Sequence, residues 1–162
     1  MQQMSIYGIS FDVVGKQPVV LLKTEDGERY LPIWIGHAEA GAILARLQDT
    51  DSPRPMTHDL LANLVGDLGA HVVRVTVTDL REGTFYAAIT LRRDGTGEIE
   101  VDSRPSDAIA LAVRVDAPIF VADEVIAENA VQFTDPSERE DETVEKFKEF
   151  LDQVSPDDFA DS

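Results

Sequence analysis

The chain has 162 residues and no cysteine, with 14 basic against 31 acidic side chains and a formal net charge of −17 at pH 7. The length suits one domain with a short appendage, and the missing cysteines exclude disulfides, thiolate metal sites and thiol nucleophiles. The sequence opens without a basic and apolar leader and has no apolar run near the roughly 20 residues of a membrane span, so we expect a soluble, cytoplasmic protein that does not contact membranes.

The first half of the chain predicts three strands followed by two helices. Strands fall at 4–14, 18–24 and 30–35, separated by Gly15 and by a turn at 25–29. Apolar residues recur at helical spacing over 39–47, after a break at Gly36, which indicates a first helix. After a proline-bearing connection, a second helix that ends near Gly69 is marked by Leu60, Leu61, Leu64, Val65 and Leu68.

The second half predicts a hairpin, a strand, a helix, a strand and a short helix. Val73, Val75 and Val77 alternate with polar residues before a turn at Gly83, and the alternation continues over 84–93, so these valines are expected to face the core. A strand follows at 98–102, a helix at 106–114, a strand at 118–122 and a short helix at 123–130. The elements predict an α+β fold with a mixed, mostly antiparallel sheet and packed helices. The likeness of "PIWIG" at 32 to "PIFVA" at 118 leaves open two related halves in swapped order.

The end of the chain differs in composition from the rest. Residues 123–162 carry three basic and 14 acidic side chains, and the apolar residues within 134–162 recur at the spacing of an amphipathic helix. We therefore divide the chain into a domain at 1–133 and an acidic helical tail at 134–162. The tail repels a polyanion over about 8 Å at physiological salt, which disfavours nonspecific binding of nucleic acid.

Two stretches, "PRPMTHDLL" at 53–61 and "SRPSDAIAL" at 103–111, repeat one pattern. In each, Arg-Pro precedes a hydroxyl residue, an aspartate and an apolar helical run. Thr57 and Ser106 are favourable N-cap residues, and a carboxylate in the first turn suits the positive end of the helix dipole. Helix capping alone therefore explains the hydroxyls and the aspartates, but it explains less of the arginines and of His58.

The arginines of the two stretches suggest phosphate recognition. Helix N-termini offer N–H groups to anions, and arginine binds phosphate through two parallel hydrogen bonds. We therefore expect a phosphate-binding role for four residues: Arg54, Arg104, Thr57 and Ser106.

Two aspartates at such a site would repel phosphate unless a divalent cation lies between them. Metal-assisted cleavage of a phosphodiester uses this arrangement, because the cation activates water and neutralises developing charge. We expect Mg2+ or Mn2+, held by Asp59 and Asp107 together with Glu39 or Asp102, and no organic cofactor. His58 would be the proton carrier beside the two catalytic aspartates, since an unperturbed imidazole has a pKa near 6.5.

Other catalytic patterns are weaker. A hydrolase triad of Ser106, His58 and an aspartate lacks the G-x-S-x-G turn, and a serine before an apolar helix is usually a cap. His37, His58 and His71 are too scattered in sequence for a zinc motif. The glycines at 94–97 belong to a hairpin turn rather than to a phosphate-binding loop.

Five segments in order, "LPIWIGHAEAGAI", "PRPMTHDLL", "EGTFYAAITL", "DSRPSDAIALAVR" and "APIFVADEV", resemble the bifunctional nuclease domain family. The resemblance covers about residues 4 to 130. It implies a compact α+β domain, self-association into a homo-oligomer, and cleavage of both DNA and RNA. The polar positions shared by the family fall on Glu39, Arg54, Thr57, His58, Asp59, Arg104, Ser106 and Asp107.

Two hypotheses follow from these observations. The first is a metal-assisted nuclease on DNA or RNA that uses both Arg-Pro helix starts. The second is a noncatalytic, oligomeric interaction or regulatory module, in which the same residues cap helices or bind a small anion and the acidic tail helix binds the partner. The first requires residues about fifty positions apart to meet, which linear order does not show.

Overall fold

The computed structural model describes residues 1–12 and 14–132, which form an eight-stranded sheet and four helices. The strands are β1 (Gln2–Asp12), β2 (Gln17–Thr24), β3 (Arg29–Trp34), β4 (Ala70–Arg81), β5 (Thr84–Arg93), β6 (Gly97–Ser103), β7 (Ile119–Val121) and β8 (Val131–Gln132). The helices are α1 (His37–Leu47), α2 (Thr57–Asp67), α3 (Pro105–Val115) and α4 (Asp123–Asn129). The α+β prediction is confirmed, and the predicted tail helix within 134–162 lies outside the described residues.

The strands lie in the order β6-β5-β4-β7-β1-β2-β3-β8. Among the strands of the described residues, only β4 and β7 pair in parallel, so the prediction of a mixed, mostly antiparallel sheet is confirmed. Two antiparallel meanders, β1-β2-β3 and β4-β5-β6, flank β7, and each meander is followed in sequence by a helix, α1 or α3. The succession of three antiparallel strands and a helix thus occurs twice, in the same order along the chain. The similar sequence segments that begin at 32 and 118 fall in β3 and β7, which have different places in the sheet.

The main core lies between one face of the sheet and the helices. Along β2, Val20 and Leu22 belong to this core, whereas Val19 and Leu21 join a smaller apolar cluster, because successive side chains point to opposite faces. Helix α3 is buried along most of its length and packs against α1, α2 and strands β4 and β5. Burial of each large apolar side chain stabilises the fold by about 1.5–3 kcal/mol, so α3 is a rigid central support for the residues at its first turn.

Helix α2 lies further out, and its apolar residues do not all face the core. Leu61 packs against the core and His58 is buried, but Leu60, Leu64 and Leu68 are 51%, 49% and 66% exposed. The five apolar residues correctly predicted a helix here, but three of the leucines do not face the core. Apolar residues recur at four-residue intervals on two sides of α2, as Leu60, Leu64 and Leu68 on one side and Leu61 and Val65 on the other, and periodicity does not reveal which side is buried.

The hairpin of β4 and β5 also departs from simple alternation. Its register shifts between Val72 and Arg74, and Val72 packs against the core in place of the predicted Val73. A bulge of this kind inserts one residue and reverses the faces that follow. The four helices have 7 to 11 residues, and in the part of the chain that is described none is long and apolar enough to cross a membrane.

Candidate active site

Three helices place their first turns around one cleft, and each carries an acidic residue at its third position: Glu39 in α1, Asp59 in α2 and Asp107 in α3. A carboxylate is favourable there because the N-terminal end of a helix carries partial positive charge. The prediction that Thr57 and Ser106 are the N-caps was wrong. The extended residues before the helices are Met56 and Arg104, so both hydroxyl residues lie inside the first turn.

A chain of hydrogen bonds joins the three helix starts. His58 Nε2 lies 2.8 Å from Asp107 Oδ1, across 49 residues of sequence. Arg104 Nε donates to Asp107 Oδ2 at 2.9 Å, and Arg104 Nη2 donates to Glu39 Oε1 at 2.8 Å. The two Arg-Pro helix starts therefore meet, as the nuclease hypothesis requires.

The negative charge of Asp107 determines which ring nitrogen of His58 carries the proton. Burial raises the pKa of the Asp107 carboxyl, but the hydrogen bonds from His58 and Arg104 outweigh this and hold the pKa below its ordinary value. Asp107 is thus a carboxylate at neutral pH and can only accept hydrogen bonds. Neutral His58 must therefore carry its proton on Nε2, which leaves Nδ1 with a free lone pair for use as a base.

A second ion pair fixes the start of α2. Asp59 Oδ2 accepts the Met56 N–H at 2.9 Å, and Asp59 Oδ1 accepts Arg114 Nε at 2.7 Å. These two bonds, with that of Met56 the larger effect, lower the pKa of the Asp59 carboxyl. Arg114, whose side chain is only 8% exposed, also donates to the carbonyls of Ala110 at 2.8 Å and Ala42 at 3.1 Å. Arg114, which also lines the cleft, therefore ties α3 to both α1 and α2.

The position of the Glu39 carboxylate depends on the small size of Gly36. Gly36 precedes α1 with a φ of −73°, a conformation that any residue can adopt. A Cβ at position 36 would, however, collide with Glu39 Oε2. Glycine therefore matters here for space rather than for backbone freedom, because it leaves room for the Glu39 carboxylate in the position where it pairs with Arg104.

The cleft has a volume of about 670 Å³, which is within the range of small-ligand sites. Its lining includes the network of Glu39, His58, Arg104 and Asp107. Small residues of α1 also line the cleft: Ala38, Gly41, Ala42 and Ala45. Further charged side chains, Arg46, Asp49 and Asp51, belong to the lining as well, so the charge of the cleft is not confined to the network.

The structure separates the predicted site residues into two groups. Six of them line the cleft: Glu39, Thr57, His58, Asp59, Arg104 and Asp107. Three others do not belong to its lining: Arg54 is exposed before α2, Asp102 is exposed on the edge strand β6, and Ser106 is 5% exposed within α3. The sequence predicts site roles for Arg54, Ser106 and Asp102 because of the residues next to them. Whether each side chain points into the cleft depends on the fold, which the neighbouring residues do not reveal.

The three predicted metal ligands do not form a metal site as they stand. Within residues 1–12 and 14–132, no group of three or more His, Cys, Asp or Glu side chains is placed to hold a metal ion. Glu39 and Asp107 share Arg104, and Asp59 pairs with Arg114, so a cation would have to displace these arginines. The dependence of phosphodiester cleavage on Mg2+ or Mn2+ therefore stays a prediction.

Sequence reasoning missed Arg114 and the spatial role of Gly36. Arg114 ends an otherwise apolar run in α3, and a single arginine on a buried helix is a signal of a buried polar partner. The partner, Asp59, could not be identified without the packing of α2 on α3. Gly36 was interpreted as a break between β3 and α1, which is correct but incomplete.

The fold and the cleft define an α+β domain with a histidine–carboxylate network at converging helix N-termini. The family model described as "Bifunctional nuclease domain" matches residues 20–134, and the chain belongs to this family. A Mycobacterium tuberculosis protein described as uncharacterized is 47% identical over 166 aligned positions, which cover 98% of both chains.

Plant proteins named bifunctional nuclease 1 are also similar to this chain. The rice protein (Oryza sativa subsp. japonica) is 30% identical over 124 residues, which cover 75% of this chain and 38% of the rice protein. The Arabidopsis thaliana protein is 32% identical over 107 residues, which cover 64% of this chain and 33% of the plant protein. The alignments thus span about a third of each plant relative.

Proposed function

We propose that this chain is a nuclease that cleaves phosphodiester bonds of DNA, RNA or both in the cleft between α1, α2 and α3. The observation that carries the proposal is the 2.8 Å contact between His58 and Asp107, which joins two helix starts 49 residues apart at a cleft. Histidine oriented by a carboxylate is a recurring base in hydrolytic enzymes. The names of the plant relatives support nucleic acid as the substrate class.

In the proposed reaction, His58 removes a proton from the attacking water through Nδ1. A new P–O bond forms to that water oxygen, and the P–O bond to the leaving nucleotide oxygen breaks. The same imidazole, now charged, can return the proton to the leaving oxygen. Asp107 stabilises the imidazolium and keeps the ring in orientation through its contact with Nε2.

Arg104 is the proposed phosphate contact. Its Nε and Nη2 are held by Asp107 and Glu39, whereas its Nη1 makes no hydrogen bond to any described residue. Both carboxylates raise the pKa of Arg104, with Glu39 the larger cause, so the guanidinium keeps its charge. An arginine fixed on one edge and open on the other can bind a phosphate oxygen without first losing side-chain freedom.

The net charge of −17 predicts weak binding of the polyanion. Substrate recognition would then rest on the cleft and not on a broad basic surface. The proposed metal dependence fits the same reasoning, because Mg2+ or Mn2+ that enters with the substrate would reduce repulsion between phosphate and the cleft carboxylates.

Cleavage of plasmid DNA and of RNA by the purified chain tests the proposal. We expect cleavage by the wild type and a loss of about 10²- to 10⁴-fold in folded His58→Ala and Asp107→Asn variants. Asp94→Asn, in the exposed turn between β5 and β6, serves as the control and should cleave like the wild type. Equal cleavage by all four proteins would identify a contaminant and overturn the proposal.

Chelation tests the metal prediction separately. Loss of cleavage in chelator, with recovery on addition of Mg2+ or Mn2+, is the expected result. Cleavage that continues in excess chelator would show that the His58 and Asp107 pair acts without a cation.

The second candidate function is a noncatalytic module that binds a small anion. It is favoured by the ion pairs at the cleft, since Arg104 already neutralises Glu39 and Asp107. Binding of inorganic phosphate that is lost in Arg104→Ala, together with no cleavage of any nucleic acid, would support this function in place of the nuclease.

A further inference from the structure

The sheet carries a second apolar cluster on the face that points away from the four helices. It consists of Tyr7 of β1, Val19 and Leu21 of β2, and Tyr30 and Trp34 of β3. Each described helix packs apolar side chains into the main core, and none of these four helices contributes to the second cluster. We call these five residues the outer cluster.

The outer cluster is deeply buried. Val19, Leu21 and Tyr30 are 0%, 3% and 6% exposed, and the indole nitrogen of Trp34 is buried as well. An antiparallel sheet that faces water on one side usually carries polar side chains there, and apolar ones on such a face stay partly exposed. Burial this deep, on the face away from the described helices, indicates that a further segment covers the outer cluster.

The described part of the chain ends beside this cluster. Strand β8 pairs with β3 at the edge of the sheet, and Val131 lies opposite Tyr30 in the register. Residues opposite each other on paired strands have their side chains on the same face, so Val131 borders the outer cluster. The segment 134–162 therefore follows directly on the part of the sheet that carries the cluster.

The sequence of this segment contains an apolar stripe of matching size. Five apolar residues recur there at helical spacing: Val144, Phe147, Phe150, Leu151 and Val154. A helix rises about 15 Å from the first to the last of them, and three to four strands at about 4.8 Å spacing span a similar distance. The residues between Gln132 and Val144 can span more than about 30 Å when extended, so the stripe can reach the cluster.

Charge favours the same contact. Lys23 lies on the face of the outer cluster, with its ammonium group 5.5 Å from the centre of the Tyr7 ring and 5.7 Å from that of Tyr30. Lys23 forms no ion pair with a residue of the described ranges. Residues 134–162 carry 11 acidic and three basic side chains, so an acidic side chain beside the stripe can pair with Lys23.

We propose that residues 134–162 form an amphipathic helix whose apolar stripe packs on the outer cluster of the same chain. The sheet then lies between two layers of helices, with the cleft on one side and the acidic tail on the other. The domain itself covers the stripe, so the stripe is not a surface for binding a partner. This inference is independent of the proposed nuclease activity.

The fluorescence of Trp34 tests the contact, because Trp34 is the single tryptophan of the chain and belongs to the outer cluster. We expect acrylamide to quench Trp34 about twofold or more strongly in full-length Phe147→Glu and Leu151→Glu than in the wild type, because a charge in the apolar contact would release the tail. Gln153→Glu adds the same charge on another side of the predicted helix and should be quenched like the wild type. Folded Phe147→Glu and Leu151→Glu proteins that are quenched like the wild type would overturn the proposal.

Dilution distinguishes the tail of the same chain from that of a second copy. A contact within one chain does not depend on concentration, so the quenching of wild-type Trp34 should stay constant over about a hundredfold dilution. Quenching that increases on dilution would assign the cover to a second copy and overturn the proposal.

Discussion

Asp107 accepts a hydrogen bond on each of its two carboxylate oxygens. These two bonds hold the neighbouring side chains of the cleft in position. One oxygen fixes the ring of His58 and the other fixes the guanidinium of Arg104. The sequence identified all three residues as candidates because their side-chain types suit acid–base and phosphate chemistry. It could not show that they touch, since His58 and Asp107 are 49 positions apart and their contact depends on how α2 packs on α3.

Gly36→Ala tests the role of Glu39 without a change to Glu39 itself. The new methyl group would displace the Glu39 carboxylate, release Arg104 and reduce cleavage roughly ten- to a hundredfold. The free energy of unfolding should change by less than about 1 kcal/mol, because a flexible side chain can move aside. Gly66→Ala, where a Cβ meets no atom within 4 Å, is the matched control and should keep full activity. Wild-type cleavage by Gly36→Ala would refute this role.

Replacement of Arg114 should destabilise the fold more than replacement of an exposed arginine. Arg114→Ala removes hydrogen bonds to Asp59 and to the carbonyls of Ala42 and Ala110, so we expect a loss on the order of 2–3 kcal/mol in urea unfolding. Arg46→Ala, where the side chain is 42% exposed and bonds Asp49 and the Val113 carbonyl at 3.3 Å each, should cost about 1 kcal/mol or less. Similar losses for the two variants would mean that Arg114 does not tie the helices together.

At the scale of elements, hydrophobic periodicity predicted the seven longer strands and all four helices with small errors at their ends. It missed the two-residue β8, the bulge in β4 and the outward side of α2, because each is decided by neighbouring elements. The N-cap residues of α2 and α3 were also not predicted correctly from residue types alone. Thr57 and Ser106 are good N-cap residue types, but Pro105 takes the first position of α3 and shifts the helix start toward the N-terminus.

The aspartates in the first turns of α2 and α3 should make the free energy of unfolding depend on pH under acidic conditions. The pKa values of Asp59 and Asp107 are lowered in the folded chain, so unfolding takes up protons as pH falls. The stabilisation by these carboxylates is complete above the ordinary aspartate pKa of about 3.9 and is lost as pH falls through their lower folded values.

Urea unfolding of the wild type and Asp59→Asn from neutral pH to about pH 3 measures this effect. The wild type should be more stable by a constant amount between about pH 5 and 7, and the difference should shrink below about pH 4. A difference that is constant over the whole range would contradict the assignment of the lowered pKa to the Asp59 contacts.

At the scale of the whole molecule, the charge is unevenly distributed along the chain. Residues 123–162 carry 14 acidic and three basic side chains, and most of these acidic residues follow Phe133. Truncation after Phe133 should therefore strengthen binding of nucleic acid several-fold at low salt, and the two affinities should converge near 1 M salt, where the Debye length is about 3 Å. Equal affinities at several salt concentrations would remove this role of the tail.

The proposed reaction requires His58 and Asp107 to act as one unit in a single cleft. A double-mutant cycle on the rate of nucleic-acid cleavage, with His58→Ala, Asp107→Asn and the combined variant, measures this most directly. We expect the combined variant to lose no more activity than the more damaging single change. Losses that multiply, or no loss in either single variant, would contradict it.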